Sequence, residues 1–368
     1  MKNHRGFTLI EFLIVLAISG VILGSIFKIF TSSQEAYVVQ DEVATMQQNV
    51  RVAKLFLERD LRMAGSGVMN MSGPNDSIIY PLEFYNADGA TQTDKIVVVY
   101  EDQAGGGCGT APTGVNLCSD LPPLTLASTM PPTSTTAEVT QEFDTVPYDM
   151  WQETCYCNGT TYTATQYYMP FIVTAPDYSM SAILIATKTS NNGGGSLDNL
   201  GNGPNTKPEE PNQDFYDFLG IPDNSSLDNK LLNTFPAGST IKFFNSNAIY
   251  KATYYIDNEN NIPCLFRDTL SNNRELIAEY IEDLQANFGL DTDDDGSVDT
   301  WINNADLTDA QKMQVRLATI SVLARTAHEH RNFTGGRPAL EDHAAGADDR
   351  FRRRLLTFTV KVRNFGLD

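Results

Sequence analysis

The chain has 368 residues, 41% of them hydrophobic, and carries 46 acidic against 26 basic side chains, a formal charge of −20. A surface this acidic repels phosphate backbones, so the chain as a whole is not expected to bind nucleic acid; only a local basic patch escapes that argument. The N-terminus is the exception to the acidic balance. Lys2-Asn3-His4-Arg5-Gly6 is a short basic leader, and between positions 7 and 30 only Glu11 and Lys28 ionise. At about 1.5 Å per residue this apolar run is long enough to cross a hydrocarbon core of roughly 30 Å as a helix. Lys2 and Arg5 orient its N-terminus to the cytoplasm. A carboxylate within such a helix is costly, so Glu11 calls for a partner. An ordinary cleaved secretory signal is disfavoured, because no small-residue cleavage site occurs before the run reaches spanning length.

Gly6-Phe7-Thr8-Leu9-Ile10-Glu11 resembles the class III signal of type IV prepilins and type II secretion pseudopilins. The resemblance implies cleavage between Gly6 and Phe7 by a prepilin peptidase, N-methylation of Phe7, and pairing of Glu11 with the N-terminal amine of a neighbouring subunit. Loss of Lys2 and Arg5 with the leader takes the side-chain balance from −20 to −22.

Beyond the apolar run, Val39, Val43, Met46, Val50, Ala53, Leu57, Leu61 and Ala64 step by threes and fours, one stripe of an amphipathic helix, and Gly65-Ser66-Gly67 supplies its stop. One continuous helix is expected over 7–64. Its spanning half is 7–30 and its amphipathic half 31–65, after a leader over 1–6. Leu57-Glu58-Arg59-Asp60-Leu61-Arg62-Met63-Ala64-Gly65 resembles the end of this helix in PilW-type minor pilins.

Residues 66–368 read as an exported β-rich domain, with strands expected over 95–100, 182–187, 240–245, 249–256, 264–267, 314–324 and 355–363. Asp257-Asn258-Glu259-Asn260-Asn261 is a hairpin connection. The segment 275–287 reads as a short amphipathic helical segment with Leu276, Ile277, Tyr280, Ile281 and Leu284 on one side. Polar, Pro-, Gly- and Thr-rich stretches over 122–136 and 190–212 read as loops, either a boundary between two β subdomains or insertions on one domain. Insertions over about 101–170 and 190–212 are favoured, because the last strands must return to pack on the N-terminal helix in a pilin-like fold. The fold class is therefore α+β and pilin-like: a long membrane-spanning helix packed on an antiparallel β-rich domain. Further resemblance to PilW-type proteins runs through Ile281-Glu282-Asp283-Leu284-Gln285, through the segment from Val315-Arg316 to Ala324-Arg325-Thr326, and from Arg352-Arg353-Arg354 to Val362-Arg363-Asn364. It is thin over 67–234.

Five cysteines in a translocated region point to an oxidising compartment. Cys108 and Cys118 bracket a Gly/Pro-containing loop and form the simplest pair. Cys155 and Cys157 flank a single residue and make poor partners for each other, so one of them is a candidate partner for Cys264. The odd count leaves one thiol over unless it bonds another chain.

In Asp291-Thr292-Asp293-Asp294-Asp295-Gly296-Ser297-Val298-Asp299, oxygens fall at positions 1, 3, 5 and 9, with a glycine at 6. That is the first part of an EF-hand-like calcium loop, with Asp291, Asp293, Asp295, Asp299 and the Ser297 carbonyl as candidate ligands. Position 12 is Ile302 instead of the bidentate Glu, so another carboxylate such as Asp306 has to close the site. The alternative is an acidic solvated turn. His328-Glu329-His330, with Glu341 and His343 further on, is a second metal-capable group, read as surface histidines because no third ligand stands at a diagnostic spacing. The dense basic run Arg350, Arg352, Arg353 and Arg354 reads as a strand edge or subunit contact. No catalytic motif is found, so an enzyme is not expected.

The function that the resemblance implies is that of a minor pilin, initiating or capping a type IV pilus. Its expected partners are other minor and major pilins, the prepilin peptidase and possible tip adhesins. Its expected location is the inner membrane with a periplasmic head, then the pilus. A type II secretion pseudopilin and a pilus-displayed adhesin are the alternatives.

Overall fold

The computed structural model describes residues 9–66, 71–72, 78–87, 93–101, 124–132, 134, 136–140, 155–157, 160–162, 169–177, 180–191, 195–199, 232–243, 249–269, 274–303 and 305–362. Helix α1 (Leu9–Met63) is one uninterrupted element of 55 residues. Strands β1 (Met71–Ser72), β2 (Ile78–Ile79), β3 (Leu82–Tyr85) and β4 (Lys95–Glu101) follow it. The middle of the chain supplies β5 (Leu124–Thr125), β6 (Thr136–Glu138), β7 (Cys155–Cys157), β8 (Thr160–Tyr162), β9 (Met169–Thr174), β10 (Ser181–Asn191), β11 (Gly195–Asn199) and β12 (Thr240–Phe243). Next come β13 (Ile249–Glu259), β14 (Ile262–Thr269), β15 (Arg274–Glu279), β16 (Ile281–Leu290) and β17 (Thr300–Ile302). A one-turn helix α2 (Asp309–Lys312), capped by a reciprocal Thr308–Gln311 box, leads into β18 (Val315–Arg325). The chain closes with β19 (Gly335–Gly336), β20 (Asp348–Asp349) and β21 (Arg353–Lys361).

The stripe read from the sequence is the face α1 buries. Met46, Val50, Ala53, Leu57, Leu61 and Ala64 are all buried, and Val43 packs at the edge. Two sheets share that face. One has the order β15-β14-β13-β4-β3 and the other β17-β16-β18-β21. Alternate residues of each strand point into the same core: Ile96, Val98 and Tyr100 on β4; Ala252, Tyr254 and Ile256 on β13; Leu284, Ala286 and Phe288 on β16; Ala318, Ile320 and Val322 on β18. Burying a Met, Val or Leu side chain fully is worth about 1.5–3 kcal/mol, and the four in this stripe hold the helix far more firmly than its intrinsic propensity does.

The β13–β14 hairpin turns on Asn260 and Asn261, with φ of 52° and 64°. Two successive residues with positive φ match the right-handed strand twist, and asparagine tolerates that region better than most residues.

The segment 275–287 is not helical. It is the end of β15 and most of β16, separated by Tyr280 at φ 59°. Strand β16 is central in its sheet and covered on both faces, so it loses the alternation that marks a strand exposed on one side; its apolar spacing then imitates a short helix.

The middle of the chain forms an eight-stranded sheet along β2-β1-β10-β9-β12-β5, with β11 and β6 attached through β10. It has a core of its own, centred on Leu124, Leu126, Phe171, Val173, Leu184 and Phe235. Stretches read as loops contribute to it: β5 and β6 lie in or beside the Pro/Thr-rich excursion, and β11 lies within 190–212.

Candidate functional site

The first part of α1 is apolar on every side and unburied. Its most apolar 18-residue window has a mean hydropathy of 2.5 and none of it is covered by the rest of the chain. Glu11 lies on this exposed stretch. Two hydroxyls here bond back to the helix, Ser25 Oγ to the Val21 carbonyl at 2.8 Å and Thr31 Oγ1 to that of Lys28 at 3.0 Å. That leaves fewer polar groups in need of water, as a lipid or protein environment requires. Gly6 and Phe7 lie outside the described residues.

Where α1 meets the head, the buried stripe includes one charge. Asp60 is fully buried and accepts hydrogen bonds from the Tyr254 hydroxyl at 2.5 Å and the Tyr100 hydroxyl at 3.2 Å. Arg59 Nε lies 2.8 Å from it and Arg267 Nη1 3.5 Å. Burial, together with the adjacent Asp60 charge, pushes the Tyr254 and Tyr100 hydroxyls well above the usual tyrosine range, so both stay protonated donors. Sequence reading missed this site. Its one signal is a charge between Leu57 and Leu61, on the apolar face.

A second tie forms one turn before the buried stripe begins. His328 Nδ1 lies 2.7 Å from Glu42 Oε1, the His328 N–H donates to Glu42 Oε2 at 3.3 Å, and His330 Nε2 lies 3.2 Å from that same oxygen. The expectation of surface histidines therefore holds for His328 and fails for His330 and His343, which are buried. They are covered because each answers a carboxylate from a distant element, which no local spacing reveals. His343 Nδ1 lies 2.7 Å from Asp283 Oδ2, with Gln285 Nε2 on the other Asp283 oxygen at 3.1 Å and Arg337 Nη1 at 3.5 Å. Glu341 accepts from Asn303 instead.

Close to this cluster, Asp94 joins the sheets. Its amide donates to the Leu284 carbonyl at 3.0 Å and its carboxylate accepts from the Ala286 amide at 2.8 Å. Burial raises its pKa to about 7; the Ala286 and Ala87 amides oppose the rise, and Asp342 and Asp283 add to it.

The acidic loop connects β16 to β17. Asp291, Asp293 and Asp299 each offer a carboxylate oxygen, all within 4.8 Å of one another. Asp291 is buried. It accepts from the Asp295 and Gly296 amides at 3.1 and 3.0 Å and meets Arg316 Nε at 3.1 Å. Gly296 has φ 86°, the left-handed turn expected of that glycine. The Asp295 carboxylate accepts from the Ser297 amide at 2.7 Å and is not one of the three that converge, although its charge is felt at Asp293. Asp299 Oδ2 accepts from the Thr292 amide and hydroxyl, which hold its carboxyl below the usual range. Asp293 is raised, chiefly by the charges of Asp295 and Asp299. Val298 and Trp301 close over Gly289, where a Cβ would sit 2.9 Å from Val298 Cγ1. Three hard oxygens around one point are a donor set for calcium or magnesium.

The basic run is partly structural. Arg353 is mostly buried and binds Glu282 and Asp349, and the Arg352 guanidinium lies 4.5 Å from the Phe333 ring centre. Cys264 is a buried free thiol on the interior strand β14, so its expected bond to Cys155 or Cys157 is not made. It sits opposite Asp257 and Glu279 of the flanking strands, and burial pushes its thiol up. Cys155 and Cys157 are the end residues of β7, and Cys108 and Cys118 lie outside the described residues.

Residues 1–27 match the prokaryotic N-terminal methylation motif, and residues 253–364 match the family of type IV pilus-assembly protein W. No match was found among curated proteins or solved structures. The first match covers Gly6, Phe7 and Glu11; the second runs from β13 through β21, the strands that carry Tyr254 and most of the core under α1. With that motif at the head of an apolar helix and that family in the sheets beneath it, the chain matches a PilW-like prepilin at its two ends.

Proposed function

We propose that the chain is a minor pilin, a structural subunit that helps initiate or cap a type IV pilus. The observation that carries this reading is the division of α1. Its apolar first part is left uncovered while Met46 through Ala64 are locked into the head, as a subunit needs if its helix is to pack first in lipid and then among other helices. In this reading the prepilin peptidase cuts between Gly6 and Phe7, Phe7 is N-methylated, and Glu11 pairs with the N-terminal amine of a neighbouring pilin. The head faces the periplasm until the subunit enters the filament. The acidic loop takes a structural calcium ion through Asp291, Asp293 and Asp299, with Asp295 and the Ser297 carbonyl completing the shell after a small rearrangement.

Deleting the gene tests the assembly role. Loss of surface pili, restored by the intact chain but not by one blocked at Gly6, supports it; normal pilus number overturns it. A second reading is favoured by the eight-stranded sheet, which has its own core and lies between the two matched regions. There the chain displays a binding module on the filament, and deletion abolishes adhesion while pili remain.

A further inference from the structure

We propose that Glu42, His328 and His330 form a binding site for a divalent transition-metal ion, which fastens α1 to the loop following β18. The three side chains come from elements 286 residues apart in sequence, yet both imidazoles reach the two oxygens of one carboxylate, at 2.7 and 3.2 Å. The second observation is His330 Nε2. This nitrogen is buried, on a side chain more than nine-tenths covered, and has no hydrogen-bond partner among the described residues. It sits within ion-pair distance of Glu42 Oε2 but off the direction that a hydrogen bond requires. A buried polar nitrogen left unmade costs free energy, and a metal ion drawing on its lone pair removes that cost.

The surroundings suit an ion. The His330 backbone is pinned, its amide donating to the Arg350 carbonyl at 2.9 Å and its carbonyl accepting from the Phe333 amide at 3.0 Å. The His328 carbonyl accepts from Thr326 Oγ1 at 3.0 Å. Both imidazoles therefore hang from a braced loop. The His328 side chain is 81% exposed, so with Nδ1 on the metal its Nε2–H is free to face water. Glu42 and His328 also line a groove of about 370 Å³ beside Tyr37, Asp41 and Arg325. The groove gives an entry path and room for water in the remaining coordination positions.

Two imidazoles and one carboxylate suit zinc and its neighbours; calcium and magnesium prefer oxygen. The three ligand atoms do not converge to within 4.8 Å of one another in this structure, so binding requires the exposed His328 side chain to swing inward until both nitrogens lie about 2.0–2.1 Å from the ion. The site is separate from the acidic loop, and it stands whether or not the chain proves to be a minor pilin.

The test uses the full chain in detergent, purified without a histidine tag, with zinc as the probe. Equilibrium dialysis should give one zinc per chain, and zinc should raise the melting temperature by a few degrees. Glu42→Gln and His330→Gln should each weaken zinc binding by at least about tenfold, the loss that even an outer-shell partner produces. Asp293→Asn should leave zinc binding unchanged. Each substitution also removes a contact between α1 and the loop and so lowers the melting temperature without metal; the zinc-dependent shift and the stoichiometry are therefore the readouts. No zinc-dependent shift in the parent chain, or a shift that survives both Glu42→Gln and His330→Gln, overturns the proposal.

Discussion

The Tyr254 hydroxyl donates to the Asp60 carboxylate at 2.5 Å, joining the middle of β13 to the last turn of α1 where neither side chain reaches solvent. A lone buried carboxylate would be strongly unfavourable; here two tyrosine hydroxyls and two guanidinium groups surround it. Asp60→Ala leaves the Arg267 Nη1 group without its carboxylate, Glu275 holding only the other two nitrogens, and both hydroxyls short of an acceptor. The expected loss is about 3–5 kcal/mol, read from denaturant unfolding of the full chain in detergent. Tyr254→Phe removes one donor and should cost about 1–2 kcal/mol. The two losses should fall short of additive, because the residues share one network.

Asp94 sets a pH dependence. With its pKa raised to about 7, the folded chain keeps a proton that the unfolded chain releases near pH 4. The stability this group contributes is fully present below about pH 4 and is lost as pH rises towards about 7. A shift of roughly three units caps the effect at about 4 kcal/mol. Asp94→Asn cannot ionise, so it should flatten the fall in denaturation midpoint between pH 4.5 and 7.5. An unchanged slope in that variant would assign the dependence to other groups.

Glu11→Val should leave membrane insertion and processing intact, since it removes a charge from an apolar run. Co-purification with other pilins should drop, because the variant lacks the carboxylate proposed above to answer a neighbour's N-terminal amine. Undiminished co-purification and normal pilus number would show that Glu11 is only tolerated.

The acidic loop gives a prediction with opposite signs in two conditions. Asp295 and Asp299 crowd the Asp293 carboxylate, so in chelator Asp293→Asn should leave the melting temperature level or raise it. In millimolar calcium the parent chain should melt higher and the variant should not respond. Magnesium should do less, since it holds its water more tightly. A melting temperature indifferent to both calcium and chelator would leave the loop as an acidic turn.

N-terminal mass spectrometry of filament-associated protein should find methylated Phe7 as the first residue. Gly6→Val should retain Met1 and remain in the membrane. An intact Met1 terminus on filament-associated parent chain would refute the processing assigned to Gly6.

The helix was legible in the sequence because its packing is local and periodic. From Met46 to Ala64 the apolar spacing matches the buried face residue by residue. Strands β13 and β21 alternate in burial and were legible for the same reason, whereas β4 and β18 were legible as runs rich in β-branched residues. Strand β16 was not, because Asp283 and Gln285 are buried polar residues in a strand covered on both faces, and only His343 and Arg337, about sixty residues on, explain them. Glu42 and Asp60 were hidden for a related reason. Each is an ordinary helix carboxylate until its partners arrive from the far end of the chain.

The confinement of the buried stripe to the span from Met46 to Ala64 has a mechanical consequence. About 50 Å of α1 projects before Glu42, its first tie to the head, and the fully buried stripe begins one turn later at Met46. A pull on that lever reaches the head through roughly five helical turns, which contact β4 and β15 of one sheet and β18 and β21 of the other. The pull runs along the helix axis, so the interdigitated side chains are loaded in shear all at once and cannot be peeled apart one by one. Tension is thereby divided between two sheets, and neither has to unfold for the helix to stay seated.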